Sequence, residues 1–224
     1  MRRCVNPRLS RSAIHRCLKR HNLSARLTPD KAPAAAFQTE VSNARETAPA
    51  GLPGIATGTI IAGAAYRVQG LDFELAGKFT DKWSVMGGLV LMKSEITKST
   101  IPTNVGLQLA NVAHQSFNLL TKYKVLDWLE FGGQSSYASQ IKGGTLLAAN
   151  GGVAYPGTPN PTILPSHWRF DFFTEAKLSK QVSMKLYVQN IFNKTYYDSF
   201  YQSAVPFIQV APGRTVSLVT SLKF

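Results

Sequence analysis

Long segments that alternate between apolar and polar residues, joined in pairs by short turns, constrain this chain more than any other feature. From residue 168 to residue 178 every second residue is aromatic, apolar or small, and charged residues such as Arg169 and Asp171 lie between them, with Phe173 as the exception. The alternation runs back from residue 182 to residue 188. A period of two places the two sets on opposite faces, which predicts a β-hairpin with one apolar and one charged face.

Two further hairpins follow the same design, with turns near residues 81 and 127. A strand near residues 37–41 and a terminal strand ending on Phe224 bring the prediction to eight strands, and a bulge is expected at residues 190–192, where the alternation falters. The other connections, near residues 44–60, 97–113, 142–165 and 195–213, are long. Short turns at one end and long loops at the other are typical of bacterial outer-membrane barrels, and Trp83 and Trp128 follow short turns where a barrel places an aromatic girdle.

A soluble β-sandwich is the alternative, because a sandwich also alternates and each hairpin alone would fit it. The strand lengths, the loop asymmetry and the aromatic carboxy-terminus favour the barrel, whose strands need about 9–11 residues each. The prediction is therefore an all-β fold, namely an antiparallel transmembrane β-barrel with about eight strands, preceded by a short α-helical segment.

The first 31 residues differ from the rest. They contain nine basic residues, one acid and both cysteines, Cys4 and Cys17. Ala13, Ile14, Cys17 and Leu18 share one face of a predicted short helix, with basic residues largely opposite. A DNA-binding helix and a solvated basic tail both fit this pattern.

No apolar stretch follows these charges, so the sequence predicts no secretory signal peptide and a chain that stays in the cytoplasm. The period changes after residues 32–36, which predicts one segment at residues 1–35 and a β-domain at 36–224.

Residues 5–24, VNPRLSRSAIHRCLKRHNLS, resemble the helix-turn-helix region of insertion-sequence transposases of the integrase type. The resemblance implies that nucleic acid is a partner only through residues 1–31. It implies no transposase chemistry, because the acidic triad of that family has no counterpart here. We therefore expect a transposase-like remnant fused in front of the β-domain.

From about Phe37 onwards the chain resembles the carboxy-terminal third of a TonB-dependent outer-membrane receptor, and its wording is most similar to receptors for ferric catecholate-type siderophores. The motifs are YRVQGLDFE at residues 66–74, TDKW at 80–83, VQNIFNK at 188–194 followed by Tyr196 and Tyr197, and PGR at 212–214. The resemblance implies a barrel of 22 strands with an amino-terminal plug, of which this chain would supply about eight strands.

The resemblance also implies the partners. These are outer-membrane lipid, a ferric siderophore as transported ligand with no directly bound cofactor, TonB through a plug domain, and the barrel assembly machinery, which would read Phe224 with Leu222 two residues earlier. The chain is expected to be no enzyme, to have no metal site and not to transport alone.

The sequence offers no catalytic constellation, since its four histidines are scattered. The candidate ligand-binding residues are loop aromatics and one cation, Tyr196, Tyr197, Phe200, Tyr201 and Arg214. Aromatic faces and a guanidinium suit a flat anionic iron-catecholate. The alternative is that Tyr196 and Tyr197 anchor the outer girdle, as His167 would, and that Arg214 positions the last strand. The rival functions are a DNA-binding fusion and a soluble β-domain.

Overall fold

The computed structural model describes residues 34–144, 147–149, 163–201 and 207–223. These residues form an antiparallel β-structure with one short 3-10 helix at Pro102–Asn104. The strands are β1 (Ala34–Thr47), β2 (Ile60–Thr80), β3 (Trp83–Lys98), β4 (Gln115–Leu126), β5 (Leu129–Ala138), β6 (Ile141–Lys142), β7 (Ile163–Leu164), β8 (His167–Lys177), β9 (Val182–Gln189), β10 (Tyr197–Tyr201), β11 (Phe207–Val210) and β12 (Thr215–Leu222).

Eight of these strands form one sheet in the order β1-β2-β3-β4-β5-β8-β9-β12, which confirms the predicted all-β fold and its eight main strands. Short turns join β2 to β3, β4 to β5 and β8 to β9, and all three lie at the same edge of the sheet. The long connections lie at the opposite edge, which we call the loop edge. Within the described residues no helix is long and apolar enough to cross a membrane.

One face of the sheet, the outer face, is apolar and exposed. The register places Phe73, Leu89, Phe117, Tyr137 and Trp168 in a single row across five neighbouring strands. Ten large apolar residues of this face are each 37% to 65% exposed, namely Leu71, Leu75, Phe79, Trp83, Phe131, Phe170, Phe172, Val216, Leu218 and Leu222. Water does not support so large an apolar surface, whereas lipid does.

Aromatic rings are concentrated at both ends of the outer face. At the turn edge, Phe79 packs on Trp83 with 5.0 Å between ring centroids, and the Trp83 indole donates a 2.8 Å hydrogen bond to the Thr121 hydroxyl. At the loop edge, Trp168 contacts Tyr137 and Phe170. The eleven residues of β8 rise about 3.3 Å each, which gives an apolar band roughly 25 Å tall at the tilt usual in barrels.

The opposite, inner face is polar and charged, as the alternation predicted. Phe173 is the apolar exception on this face of β8, and the pairing with Gly132 explains why: the ring lies over the glycine and is only 2% exposed. The Lys122 and Lys185 ammonium groups lie 5.6 and 4.9 Å from the centre of this ring. A ring flanked by two ammonium groups is compatible with a charged surface through cation–π attraction.

The expected bulge at residues 190–192 is wrong. Strand β9 ends at Gln189, and the pairing of β9 with β12 shows no register shift. Asn190 has a φ of 51° and Asn193 a φ of 50°, so the chain turns here through two left-handed asparagines. The alternation falters because the strand stops, and asparagine is a residue that tolerates the left-handed backbone of the turn.

Two of the long connections contain short hairpins that the sequence did not predict. Strands β6 and β7 pair over two residues each, and β10 pairs with β11 from Tyr197 to Tyr201. A separate apolar cluster, Ala44, Ala64, Ile96, Leu147 and Ala148, fastens loop residues to the inner face near the loop edge. The predicted α-helical segment at residues 1–31 lies outside the described residues.

Candidate functional site

A polar cavity of about 150 Å³ lies at the loop edge, where β8 and β9 meet the last long connection. Its walls are formed by Arg169, Gln189, Asn190, Tyr196, Asp198, Ala211, Pro212 and Gly213. Inner-face positions of β8 and β9 supply Arg169 and Gln189, because both alternate with the outer-face residues. The cavity therefore joins the inner face of the sheet to the loops.

Asp171 connects two residues of the cavity wall, Arg169 and Asn190. Its carboxylate is buried, with a side-chain exposure of 1%, and accepts hydrogen bonds from the Arg169 Nε at 3.1 Å and from the Asn190 backbone N–H at 2.9 Å. The Tyr187 hydroxyl lies 3.5 Å from the same carboxylate. A buried charge is tolerated only with such partners, so Asp171 fixes both the guanidinium and the end of β9.

Tyr196 is buried at this site. Its ring stacks on the His167 ring with 4.7 Å between centroids, and 8% of the residue is exposed. His167 pairs with Ala138 and lies on the inner face, whereas its neighbour Trp168 lies on the outer face. The interpretation of Tyr196 and His167 as anchors of the outer aromatic girdle is therefore wrong, since both face away from the girdle.

Tyr197 and Phe200 lie together in a second apolar cluster. Phe200 is 5% exposed and packs with Ile141 and Leu164, and Tyr197 packs against the same cluster. The backbone of Tyr201 pairs with that of Phe207. Tyr196 and Tyr197 thus face different surroundings, although they are neighbours in sequence.

Arg214 directly follows Gly213 of the cavity wall but is not itself among the lining residues. Its backbone N–H donates to the Asn193 side chain at 2.9 Å, and its guanidinium approaches the Ile191 carbonyl at 3.5 Å. These contacts hold the start of β12 against the turn after β9. Leu222, proposed as part of the assembly signal, pairs with Val182 and is 59% exposed on the outer face. Phe224 lies outside the described residues.

His114 occupies the loop edge just before β4. Burial lowers the pKa of its imidazole below the ordinary value, and the positive charges of Lys142 and Lys93 lower it further. Its Nε2 is buried without a hydrogen-bond partner among the described residues. The imidazole is therefore neutral near pH 7.

Most of the side chains that line the cavity are polar or charged. In the part of the chain that the structure describes, no three His, Cys, Asp or Glu side chains are grouped to hold a metal. Sequence reasoning missed Arg169 and Asp198 as cavity residues. The signal for Arg169 was its position at the loop-edge end of β8, on the charged face.

The chain is similar to known proteins in both sequence and fold. Residues 21–191 match the family described as TonB dependent receptor-like, beta-barrel. The chain belongs to the TonB-dependent receptors. The match begins at residue 21, ahead of the predicted domain boundary.

Individual TonB-dependent receptors match most of this chain. It is 31% identical over 159 residues to the probable TonB-dependent receptor BfrD of Bordetella pertussis, and 27% identical over 168 residues to the probable TonB-dependent siderophore receptor PiuA of Acinetobacter baumannii. Each alignment covers 70% of this chain and 21% of the relative.

The fold agrees with the sequence match. The crystal structure of the siderophore receptor PiuA from Acinetobacter baumannii superimposes with a TM-score of 0.64 at 26% identity, covering 84% of this chain and 25% of that structure. The chain thus spans about a fifth of the length of the curated TonB-dependent receptors that it matches.

Proposed function

We propose that this chain forms part of the wall of an outer-membrane receptor that takes up a ferric siderophore. The observation that supports this most directly is the eight-stranded sheet with a continuous apolar outer face, aromatic rings at both ends and a charged inner face. Such a sheet suits lipid on one side and an aqueous passage on the other. The similarity to PiuA, whose name describes a siderophore receptor, supports the ligand class.

The long loops and the cavity would face the outside, and the three short turns would face the periplasm. The residues proposed to meet a ligand are Tyr196, which lines the cavity, and Arg169, whose guanidinium shares it. Tyr197, Phe200, Tyr201 and Arg214 stay candidates from the sequence. Phe200 would act mainly by packing, since it is buried.

Transport by this chain alone is not part of the proposal. Uptake would need the other strands of a 22-strand barrel and a plug that TonB can engage, because the chain spans about a fifth of its relatives. A catecholate siderophore is the proposed ligand subclass. Recognition of Leu222 and Phe224 by the barrel assembly machinery is likewise proposed.

Residues 1–31 are proposed to be a transposase-derived remnant, supported by their nine basic residues and one acid. A lone basic helix would bind DNA weakly and in a salt-dependent way. A gel shift that compares a peptide of residues 1–31 with residues 36–224 tests this, and binding by residues 36–224 alone would contradict it.

Membrane topology tests the main proposal. A hybrid receptor, in which residues 34–223 replace the corresponding strands of a PiuA-like receptor and no other cysteine is present, would receive one cysteine at Asp198 or at Asp127. An impermeant maleimide should label Asp198→Cys on intact cells and label Asp127→Cys only after the outer membrane is broken. Equal labelling, or absence of the chain from the outer membrane, would contradict the proposal.

Transport is tested with a hybrid receptor in which residues 34–223 replace the corresponding strands of a PiuA-like receptor. Cells that depend on this hybrid should grow on a ferric siderophore, and cells with the 224-residue chain alone should not. Growth supported by the chain alone would overturn the proposal that other parts are required.

A further inference from the structure

Two lysine side chains of the inner face converge on one aromatic ring. Lys122 lies on β4 and Lys185 on β9, the strands on either side of the pair β5–β8. Their ammonium nitrogens lie 5.6 and 4.9 Å from the centre of the Phe173 ring. Lys122 reaches the ring across Gly132, which stands between Lys122 and Phe173 in the same row and has no side chain to obstruct it.

Neither ammonium group has a carboxylate partner among the residues that the structure describes. Lys185 lies opposite Glu175 in the pairing of β8 with β9, but its ammonium contacts the Phe173 ring and forms no ion pair there. Lys122 forms no ion pair with Glu130 either, although both lie on the inner face near β5. The two lysines therefore carry charge that no described side chain neutralises by direct contact.

The half of the sheet between the row of Phe173 and the short turns is positively charged. It contains eight lysines and four acids, an excess of four positive charges. Its residues are 78–84, 122–132, 173–187 and 217–223. The next three inner-face rows towards the loop edge instead carry Asp72, Glu74 and Asp171 with one cation, Arg169. The surroundings of the two lysines thus favour an anion.

The ring holds the two ammonium groups in place without neutralising them. Cation–π attraction positions each charge, while the two like charges repel one another, more strongly because both side chains are half-buried. An anion with two oxygen atoms between them would accept a charge-assisted hydrogen bond from each. Since the ring orders both donors in advance, little further ordering is needed on binding.

We propose that Lys122 and Lys185 together bind a carboxylate-type anion on the inner face, in the half of the sheet next to the short turns. The anion contacts the two ammonium groups and not the Phe173 ring, which is 2% exposed. The carboxylate can come from two sources, a free anion in the passage or a side chain from the remainder of the receptor. The site does not depend on the siderophore class proposed above.

Acetylation of lysines in the full chain, held in a non-ionic detergent and analysed by peptide mass spectrometry, tests the site. The probe is citrate, compared with sodium chloride at equal ionic strength to correct for screening. Saturating citrate should slow acetylation of Lys122 and Lys185 by roughly tenfold, the effect of one charge-assisted hydrogen bond. Lys180 and Lys223, which are exposed near the turn edge, should change little. Equal protection of all four lysines would show adventitious binding only and overturn the proposal.

Lys122→Gln distinguishes one bridging anion from two independent sites. If one anion binds both groups, this substitution abolishes the protection of Lys185 by citrate. Lys124→Gln is the matched control, because Lys124 lies on the same strand and face but pairs with Asp127 at 2.9 Å. Protection of Lys185 should persist in this control. Persistence in Lys122→Gln as well, or loss in both variants, would overturn the proposal.

The hybrid receptor that contains residues 34–223 distinguishes the two sources of the carboxylate. If Lys185 reacts slowly without citrate and quickly in Lys122→Gln, the carboxylate belongs to the remainder of the receptor. If citrate is needed to slow the reaction of Lys185, the anion is a free one. Acetylation of Lys185 that responds neither to citrate nor to Lys122→Gln would overturn the proposal.

Discussion

Gly132 lies directly opposite Phe173 in the pairing of β5 with β8, and the Phe173 ring occupies the space that a side chain on Gly132 would need. The other contacts of the Phe173 ring are the two lysines described above and Tyr187, whose ring is stacked at 6.0 Å. A bulky apolar residue thus lies on a charged face because its partner has no side chain.

Gly132→Ala should destabilise the folded sheet by about 1–3 kcal/mol, because the new methyl group must displace an aromatic ring. The neighbouring substitution Gly133→Ala is the control, since a methyl group there meets only the Asp171 carbonyl, at 3.6 Å. Denaturant unfolding in detergent, followed by tryptophan fluorescence, measures both. Adding Phe173→Leu to Gly132→Ala should recover part of the loss, and equal effects of the two glycine substitutions would contradict the account.

Asp171→Ala should cost roughly 1–3 kcal/mol, because it leaves the Arg169 guanidinium and the Asn190 N–H without their acceptor. The reference substitution is Asp127→Ala, whose carboxylate is fully exposed in the turn after β4; it should leave the unfolding midpoint nearly unchanged. Proteolysis of the last long connection should accelerate only in Asp171→Ala. Similar midpoints for the two variants would show that the buried network adds little stability.

The alternation of β12 makes a paired prediction about lipid. Leu218 lies on the outer face opposite Leu186, and Val219 lies on the inner face opposite Lys185. Leu218→Lys should reduce stability in vesicles by roughly 2–4 kcal/mol if it lies near the middle of the bilayer. Val219→Lys should have a much smaller effect. A larger loss of stability in Val219→Lys than in Leu218→Lys would show that the two faces are assigned wrongly.

The three tryptophans, Trp83, Trp128 and Trp168, provide a depth measurement. Trp83 and Trp128 lie at the turn edge and Trp168 at the loop edge. In variants that keep one tryptophan each, brominated lipids should quench fluorescence most when bromine is near the headgroups, because all three belong to interfacial rings. Strongest quenching by bromine near the ends of the acyl chains would show that the tryptophans lie deep in the bilayer and do not belong to interfacial rings.

Acidification should loosen the chain around His114. Its pKa in the folded protein is lowered by burial and by Lys142 and Lys93, so the unfolded segment takes up a proton at higher pH than the folded one. The stabilising contribution is present above the unfolded pKa of about 6.5 and is lost as pH falls below it. Exchange near residues 113–115, corrected for its intrinsic pH dependence, should rise from pH 7.5 to pH 5.5, and His114→Gln should remove this dependence.

The sequence predicted the sheet well because each strand repeats one physical signal. Phe170 and Arg169 differ in polarity at adjacent positions, and a period of two converts that difference into two faces. The short turns near residues 81, 127 and 180 were confirmed for the same reason, since the alternation stops and restarts around them. The resemblance to TonB-dependent receptors was confirmed as well, and the transposase-like character of residues 1–31 stays a prediction.

The loop region followed no such rule. Tyr196 and Tyr197 look equivalent in the sequence, but one stacks on His167 and the other packs near Phe200. Those contacts join residues far apart in the chain, as do the hydrogen bonds between the Asn111 side chain and the Phe200 backbone. Arg169 was assigned to the charged face correctly, yet its place in the cavity depends on the path of the last long connection.

The main strands differ greatly in length: β2 has 21 residues and β9 has eight. The paired residues show that the turn edge is staggered, because Trp83 at the start of β3 lies in one row with Leu186 in the middle of β9. Most of the difference in strand length nevertheless falls at the loop edge, where β2 continues far beyond that row and β9 ends at Gln189. At about 3.3 Å per residue, the longer strand extends roughly 40 Å further along its own direction. The loop edge is consequently oblique: the sheet extends far on the β2 side and ends early beside β9. A molecule arriving from the β9 side would meet the cavity first, and one arriving from the β2 side would meet a screen of backbone.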